Sequence, residues 1–368
     1  MAMSEDARRR PLAAFLRTEA GSASLLLAAA VLALLWANLG AAGAYAETWT
    51  QKWTLRAGGA AFTWYPRAVV NDGLMTLFFL VVGLEIRREL TRGDLRDRRS
   101  AAVPVIAALG GMVVPALLYL AFNGGTDAAQ GWGIPVATDI AFALGVLAIA
   151  APRAPQGLRS FLLTLAIADD VGAIVVIAVV YSAGIDLGAV AIGLTMWIST
   201  LASGVHATIA GVAFAFLVPS VEASDGTTTL ERFEGALHPW TSRLVVPVFA
   251  LANAGVRVVD ADLGGIVLDP VVLGIVAGLV VGKFLGITAA TRIALRTRIG
   301  TLPPGVRVGD VPAVAAVAGI GFTVSLFIAE LAFPTEAGAD AARIGILLAS
   351  LLAGLLGATL LRRLPGRS

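Results

Sequence analysis

Long stretches of this sequence run for about 20 residues without one charged side chain. They are 20–46, 100–126, 187–221, 311–329 and 344–361. An apolar helix of about 20 residues spans the hydrocarbon of a bilayer, and the backbone polar groups of such a segment must be hydrogen bonded within it. Only 14% of the residues are charged, against about 25% in soluble domains. The sequence therefore predicts an all-α polytopic membrane protein.

The apolar runs and the turn residues between them predict about ten spans within one membrane domain, 1–368. Their approximate bounds are 21–39, 67–89, 101–122, 131–151, 158–181, 187–218, 244–256, 270–290, 311–333 and 341–361. Residues 187–218 are too few to cross the membrane three times at about 1.5 Å per residue, so one crossing is expected there. Residues 219–243 are predicted as a polar loop. Alternating Trp and Phe within 47–66 predict a short β-hairpin at the membrane surface.

The distribution of Lys and Arg over alternate loops predicts the orientation. With the amino terminus inside, 21 of the 27 basic residues lie in interior segments and 5 in exterior ones, and Lys283 lies within a span. The positive-inside rule then places both termini in the cytoplasm. Residues 1–20 become a cytoplasmic segment, and the 47–66 hairpin faces outward. The chain has no cysteine, which excludes disulfides and thiolate metal sites.

Two adjacent aspartates, Asp169 and Asp170, lie near the middle of the 158–181 run. An ionised carboxylate in hydrocarbon costs at least several kcal/mol. Two side by side repel each other, so one is expected to hold a proton near neutrality. Such groups must face protein, water or a cation. We interpret them as carboxyls that alternately hold a cation and protons.

Two other places in the spans carry residues that interrupt helices. Pro135 removes a backbone donor shortly before Thr138 and Asp139. An ordinary span start with Pro in its first turn is the simpler interpretation, but it leaves Asp139 unexplained. Gly319 and Gly321 provide a second flexible point in the middle of the 311–333 span. Small residues there also serve helix packing, so this signal is weak alone.

Lys283 is the basic residue predicted to lie in mid-membrane, in a chain with only two lysines and 25 arginines. A lysine can lose its proton in a buried site, whereas an arginine cannot. Lys283 is therefore either a fixed salt-bridge partner for an aspartate or a group that releases its proton during a cycle. The sequence leaves both roles open.

Further carboxyls are candidates for a funnel or for a response to pH. Asp72 and Glu85 lie near the two ends of the 67–89 span, and Glu89 follows Glu85 closely. Marking the membrane interface is the simpler role, above all for Glu89. Glu234 and His238 lie in the predicted polar loop, most simply as part of a solvated cluster. Because histidine titrates near neutrality, a pH-sensing role stays open for His238.

These motifs together resemble the NhaA-type Na+/H+ antiporters of bacterial inner membranes. Ala-Thr-Asp-Ile-Ala-Phe-Ala-Leu-Gly at 137–145 and the aspartate pair are the most specific parts. The matching stretches are 71–75, 82–85, 137–145, 169–170, 203–208, 237–240, 249–255, 282–286 and 319–323. Members of this family are themselves standard examples of inverted repeats whose broken helices meet at the midplane. That architecture, with core repeats at 101–182 and 270–362, is therefore an expectation from the resemblance.

The resemblance implies a secondary transporter, not an enzyme, that exchanges Na+ or Li+ for H+ electrogenically and without a cofactor. Asp170 would be the main cation ligand, with Asp169 and Thr138 beside it, and Asp169 would pair with Lys283 when sodium is absent. Asp139 would offset the dipole ends of two helices broken near Pro135 and near Gly319 and Gly321. The candidates for pH response or for the funnel are Asp72, Glu85, Glu89 and Glu234.

Membrane lipid is an implied partner, and the 47–66 hairpin is the implied contact of a homodimer on the periplasmic face. Two features depart from the family pattern. Gly235 stands where the family has a histidine after the residue matching Glu234. The stretch between Asp170 and His206 also offers one crossing where the family, with twelve spans, has two further helices.

Two other functions fit parts of the pattern. A transporter of the same architecture could carry an organic anion together with sodium or protons, which calls for a roomier and more polar cavity. An intramembrane aspartyl protease also needs two carboxyls. Adjacent residues on a helix diverge by about 100°, however, and the Gly-x-Gly-Asp element of such proteases is missing from the sequence.

Overall fold

The computed structural model describes residues 18–39, 42–57, 60–181, 207–220, 222, 226–258, 263–333 and 335–364. His206 and most of the predicted 187–218 crossing lie outside these residues. Most of the described chain is helical. The elements are α1 (Glu19–Asn38), α2 (Ala42–Thr50), β1 (Trp53–Ala57), β2 (Ala60–Trp64), α3 (Pro66–Thr91), α4 (Arg98–Asn123), α5 (Asp127–Val136, a 3-10 helix), α6 (Ile140–Ala150), α7 (Gln156–Tyr181), α8 (Ala207–Leu217), α9 (229–253), α10 (Leu263–Val267), α11 (Pro270–Arg296), α12 (Val311–Val317), α13 (Phe322–Ala332) and α14 (Glu336–Arg362).

Six of these helices, α1, α3, α4, α7, α11 and α14, are long and apolar enough to cross a membrane. Two bent pairs add two further spans among the described residues: α5 with α6, and α12 with α13. The bends are 45° and 48°. They fall at the two places where the sequence predicts interrupted helices. The protein is a multi-pass helical membrane protein.

Helix α9 corrects the predicted polar loop at 219–243. The helix begins at Thr229, after the N-cap Thr228, and continues through a π-helical turn at Thr241–Val245 to Asn253. The Thr228 hydroxyl accepts a hydrogen bond from the Glu231 amide, and the Glu231 carboxylate accepts one from the Thr228 amide, which is a capping box. The polar composition of residues 229–243 therefore reflects one face of a helix and not a loop.

The predicted hairpin at 47–66 is present but shorter. Residues up to Thr50 belong to α2, and only β1 and β2 are paired, in antiparallel register with Trp53 opposite Trp64. The two strands form a two-stranded sheet of their own. Thr54 and Thr63 face each other across it with their hydroxyls 3.1 Å apart.

Close helix packing brings α11 against α4. A Cβ atom built on Gly110 would lie 2.4 Å from the Gly286 carbonyl oxygen, and one built on Gly286 would lie 2.1 Å from the Gly110 oxygen. Only glycine allows this approach, which is the usual way that helices associate in lipid. The contact fixes α11, and with it Lys283, against the core.

Candidate cation site

The two helix breaks meet inside the protein. The α5–α6 break consists of residues 137–139 and the α12–α13 break of residues 318–321. The Asp139 amide donates to the Ile320 carbonyl at 2.7 Å, and the Thr138 hydroxyl lies 2.9 Å from the Ala318 carbonyl. Each break therefore supplies partners for backbone groups that the other releases, and unwound backbone within a membrane requires such partners.

Asp139 lies at the amino-terminal ends of two helices. Its Oδ1 accepts from the Phe142 amide of α6 at 2.9 Å. Its Oδ2 accepts from the Thr323 amide of α13 at 3.1 Å and from the Thr323 hydroxyl at 2.7 Å. Helix amino termini carry partial positive charge and unpaired amides, so a carboxylate between two of them is stabilised twice. This position explains why an aspartate is buried at the break.

Lys283 is fully buried and paired with Asp169. Its Nζ lies 2.5 Å from Asp169 Oδ2 and 3.0 Å from Thr138 Oγ1, and both charged side chains are 0% exposed. The Thr138 hydroxyl is also 2.7 Å from the same carboxylate oxygen. The Thr138 hydroxyl has one proton and two acceptors within reach, the Asp169 carboxylate and the Ala318 carbonyl, so Thr138 is able to switch between them. A π-helical turn, Ala277–Gly282, directly precedes Lys283.

Asp170 points away from this pair. It lines a cavity of about 380 Å³ together with Thr138, Asp139 and Thr323, whereas neither Asp169 nor Lys283 reaches the cavity. The separation follows from the angle of about 100° between successive residues on a helix. Asp170 Oδ1 is buried and has no hydrogen-bond partner among the described residues. The aspartate pair is thus split into one carboxyl held by a lysine and one that faces the cavity.

The same cavity extends to a cluster of charged groups at the end of α3. Arg88 contacts Glu85 at 3.8 Å and Glu89 at 3.4 Å, and it also pairs with Glu234 of α9. Glu85, Arg88 and Glu234 line the cavity, and His238 lies beside them. We call this end of the cavity its mouth. Five of the predicted residues therefore share one cavity: Thr138, Asp139, Asp170, Glu85 and Glu234.

Burial shifts the two titratable groups that α9 contributes to the mouth. Burial raises the pKa of Glu234, because the charged form loses water that Arg88 only partly replaces. Burial likewise lowers the pKa of His238, and the nearby Arg88 and Arg243 lower it further. Both shifts favour the neutral forms. Glu234 is buried, so the prediction of a solvated cluster was wrong for it, whereas His238 is exposed at the mouth of the cavity as that prediction expects.

The remaining predicted residues lie elsewhere. Asp72 lines a second cavity, of about 390 Å³, with Arg67, Phe327 and Glu330. Pro135 belongs to α5 and is 2.7 Å from a Cβ built on Gly278 of α11. Gly319 and Gly321 lie in the second break, and a Cβ on Gly319 would meet the Leu279 carbonyl at 2.4 Å. The absence of a side chain at Gly319 thus lets the break approach α11.

Sequence reasoning missed three contributors to this region. Thr323 holds Asp139, the Ser325 hydroxyl donates to the Ile134 carbonyl at 2.7 Å, and Arg88 gathers three carboxylates. Thr323 was within the recognised 319–323 motif, which was interpreted only as a flexible point. Arg88 looked like one of many cytoplasmic arginines, and its pairing with Glu234 across 146 residues carries no local signal.

Among the described residues there is no group of three or more His, Cys, Asp or Glu that could hold a metal ion. Asp170 and Thr138 line the cavity with one carboxyl and one hydroxyl, and Asp169 contacts Thr138 from outside it. Hard monovalent cations prefer oxygen ligands of these kinds, together with carbonyls and water.

Comparison with known proteins agrees with the geometry. The sequence model of the family described as Na+/H+ antiporter 1 matches residues 13–195 and 188–361. The antiporter NhaA of Cronobacter sakazakii is 45% identical over 95% of this chain and 96% of its own length. That of Oleidesulfovibrio alaskensis is 42% identical over 96% of this chain and 93% of its own, and that of Shewanella frigidimarina 43% over 95% of each. This chain therefore belongs to the Na+/H+ antiporter 1 family.

Proposed function

We infer that this protein is a sodium/proton antiporter, in which Na+ and H+ compete for the carboxyl of Asp170. The observation that carries the inference is the division of the aspartate pair. Asp169 is paired with Lys283, while Asp170 lines the cavity and has no ion pair among the described residues. The family relationship gives the same function, since the relatives are named Na+/H+ antiporters.

Competition at Asp170 follows from the cost of a lone charge. A buried carboxylate without a partner is unfavourable, so Asp170 holds a proton until a cation replaces it. Sodium entering from the cavity would be bound by Asp170, with Thr138 and Asp169 supplying further oxygens. The returning proton then removes the charge that holds the ion. Exchange results provided that the site opens to one side at a time.

Lys283 couples the second aspartate to the same event. A cation beside Asp169 competes with the Lys283 ammonium, which lies 2.5 Å from that carboxylate. We propose that Lys283 leaves the pair and gives up its proton, as a lysine in a dry site is able to do. Two protons would then leave for each sodium ion. The membrane potential would contribute about 2.3 kcal/mol per net charge per 100 mV.

Asp139 has a positioning role in this scheme. It ties α6 to α13 through Phe142 and Thr323, so the two breaks move as one unit. Its charge also offsets the positive ends of both helices next to the bound cation. Without that offset a cation would be repelled from the site. The arrangement supports a rigid ion site within a moving helix pair.

Transport of an organic anion is less favoured. The cavity is large enough in volume for a small organic molecule. Its lining, however, includes Glu85, Asp139, Asp170 and Glu234, with the basic residues confined to the mouth. An anion would meet carboxyls at the innermost point. A cation is the better match in charge.

Several finer features are proposals of the same kind. We place the protein in a bacterial inner membrane with both termini in the cytoplasm, so that the cavity mouth faces the cytoplasm. Lithium, a smaller hard cation, is a second substrate of the same oxygen ligands. The two-stranded hairpin, whose outer edges have no partner strand among the described residues, would form the contact with a second copy.

We infer that the segment between Asp170 and His206 is shorter than in the relatives. The two matches to the family overlap at 188–195, within this segment. The alignment with the C. sakazakii protein runs over 378 positions but includes 95% of this chain, which is about 350 residues. We propose that about one helical hairpin is absent from this segment. A helical hairpin crosses the membrane twice, so its loss leaves the orientation of the following spans unchanged.

The function is tested by dequenching of a pH dye in inside-out vesicles on addition of Na+, Li+ or K+. Asp170→Asn removes the exchangeable charge and should abolish sodium-dependent proton movement at every pH. Asp310→Asn, which changes another buried aspartate that does not line the cavity, is the matched control and should keep exchange. Retained exchange in Asp170→Asn would contradict the assignment.

A further inference from the structure

Five charged residues form a cluster at the end of the protein opposite the cavity mouth. They are Arg67, Glu330, Glu336, Asp340 and Arg343, and we call them the far-end cluster. Arg67, Glu330 and Glu336 line the second cavity, whose wall also includes Asp72 and Phe327. The predicted site did not include any member of this cluster. The cluster joins three helices that carry or flank the ion site.

The contacts form a chain from α3 to α13. Arg67 of α3 donates from Nη1 to Glu336 Oε1 at 2.8 Å, and the other oxygen of Glu336 accepts from Arg343 Nη1 at 3.2 Å. Arg343 in turn pairs with Glu330 near the end of α13, where its Nε lies 2.9 Å from Oε1. Glu336 therefore bridges two arginines on different helices.

The two arginines are held very differently. Arg343 is 2% exposed and directs its guanidinium to Glu330, Glu336 and Asp340. Arg67 donates to Glu336, but its buried Nε has no partner among the described residues. Arg343 is thus fixed within α13 and α14 by several bonds, whereas the link to α3 depends on one ion pair.

That ion pair joins two groups of helices. Helix α3 packs against α8 and α9, while α14 packs against α11, α12 and α13, which carry Lys283 and the second break. A rigid movement of one group against the other would leave the Arg343 contacts intact, because they lie within one group. The same movement would have to break the bond between Arg67 and Glu336.

Only a thin barrier separates the two cavities along these helices. Thr323 lines the cavity that contains Asp170, and Phe327, one helical turn later, lines the far-end cavity. Phe327 packs against Phe79 of α3 with ring centroids 5.2 Å apart. Movement of α3 away from α13 would separate these two rings. The far-end cavity would then reach Thr323.

We propose that the ion pair between Arg67 and Glu336 is a latch that keeps the far-end path to the ion site closed. The ion pair breaks when the ion site becomes accessible from the far-end cavity. The Arg343 contacts hold α13 and α14 together in both states. The proposal rests on the antiporter function, since it specifies how access alternates. Arg67 and Glu336 act as positioning residues and do not bind the cation.

The absence of cysteine from the chain permits a direct test. Phe327→Cys places one thiol at the floor of the far-end cavity, and a membrane-impermeant maleimide is added from that side to oriented vesicles. In this background Glu336→Gln, Arg67→Gln and the double variant are compared. Glu222→Gln is the matched control, because Glu222 is 63% exposed like Glu336 and pairs with Arg92 at the other end.

Each single variant should increase the labelling rate by up to about fivefold, as expected for loss of one partly exposed ion pair. The double variant should match the single variants, because the same bond is removed. Labelling of Glu336→Gln at the rate of Glu222→Gln would overturn the latch. Effects that multiply in the double variant would also overturn it, since the residues would then act independently.

A second position guards against misfolding of the Phe327→Cys protein. Leu331→Cys, one turn further out on α13 and also in the wall of the cavity, gives a second labelling site. Glu336 is largely exposed, so its glutamine variant should fold normally. Labelling needs no sodium gradient. If the Arg67 and Glu336 variants label at the parent rate while the parent chain exchanges Na+ for H+, the latch is wrong and the antiporter function stands. If the variants label faster but the parent chain shows no exchange, the antiporter function is wrong.

Discussion

The protein buries a basic side chain in each of two regions, and the two side chains differ in how many carboxylates surround them. At the helix breaks, Lys283 faces one carboxylate, Asp169, with Thr138 beside it. At the far end, Arg343 is surrounded by Glu330, Glu336 and Asp340. The first region has a cation that is able to lose its proton, and the second has one that always stays charged.

The difference shows how one fold separates the exchange of ions from the holding together of its helices. A buried pair of single charges is easily rearranged, because protonation of the acid and deprotonation of the base remove both charges at once. A guanidinium among three carboxylates has no neutral alternative and must stay where it is. The region that binds and releases ions therefore uses Lys283, and the region that holds helices together uses Arg343.

The largest expected effect is on stability at the far end. Arg343→Gln leaves Glu330 and Asp340 without their cation, and loss of one partner from a buried ion pair costs roughly 3–5 kcal/mol. Because Asp340 and Glu336 reach water, we expect a value near the lower limit. Thermal unfolding in detergent measures it. The control Arg92→Gln, in a more exposed pair, should cost at most about 1 kcal/mol; equal costs would contradict the comparison.

The next effect tests how the breaks are held. Asp139→Asn keeps one acceptor oxygen of the two that serve α6 and α13, so about one helix cap of roughly 1 kcal/mol should be lost. Asp139→Ala should lose about twice as much. Unfolding midpoints of the two variants give the ratio. Equal midpoints for Asn and Ala would show that the carboxylate caps only one helix end.

Much of the ion site could be predicted because buried charge is conspicuous in an apolar sequence. Four charged residues stand out in uncharged runs: Asp139, Asp169, Asp170 and Lys283. In the structure Asp139 joins the two breaks, and Asp169 pairs with Lys283. Pro135 and the pair Gly319 and Gly321 marked both interruptions to within a few residues. What the pattern could not give was the direction of each side chain, which separates Asp169 from Asp170.

The ion pairs at the far end and at the mouth were missed for a physical reason. Counting basic residues treats every charge near a span end as solvated, so Arg343 and Arg88 were assigned to the surface. Their partners are set by the packing of helices distant in sequence. The start of helix α9 could have been predicted, since Thr228 and Glu231 have the spacing of a capping box. That local signal was outweighed by the polar composition of residues 219–243.

A third prediction decides between the two roles that the sequence leaves open for Lys283. Lys283→Arg preserves the positive charge beside Asp169 but cannot release a proton. If Lys283 carries a proton in each cycle, exchange should slow by at least about tenfold, which corresponds to about 1.4 kcal/mol. Dye dequenching in vesicles measures the rate at matched protein levels. A rate equal to that of the parent would make Lys283 a fixed salt-bridge partner, as Arg343 is at the far end.

The smallest effect concerns His238, at the cavity mouth, which lies on the other side of the helix breaks from the far end. Burial, with Arg88 and Arg243, lowers the pKa of His238 below its ordinary 6.5. The folded protein therefore binds fewer protons than the unfolded chain between that lowered pKa and about pH 6.5. Stability in this window must fall as the pH falls. His238→Gln removes the titration, so its unfolding midpoint should equal that of the parent at pH 8 and exceed it at pH 5.5. A difference at pH 8 as large as that at pH 5.5 would mean that the imidazole acts through packing, and the mouth would then respond to pH through Glu234, whose raised pKa titrates in the opposite sense.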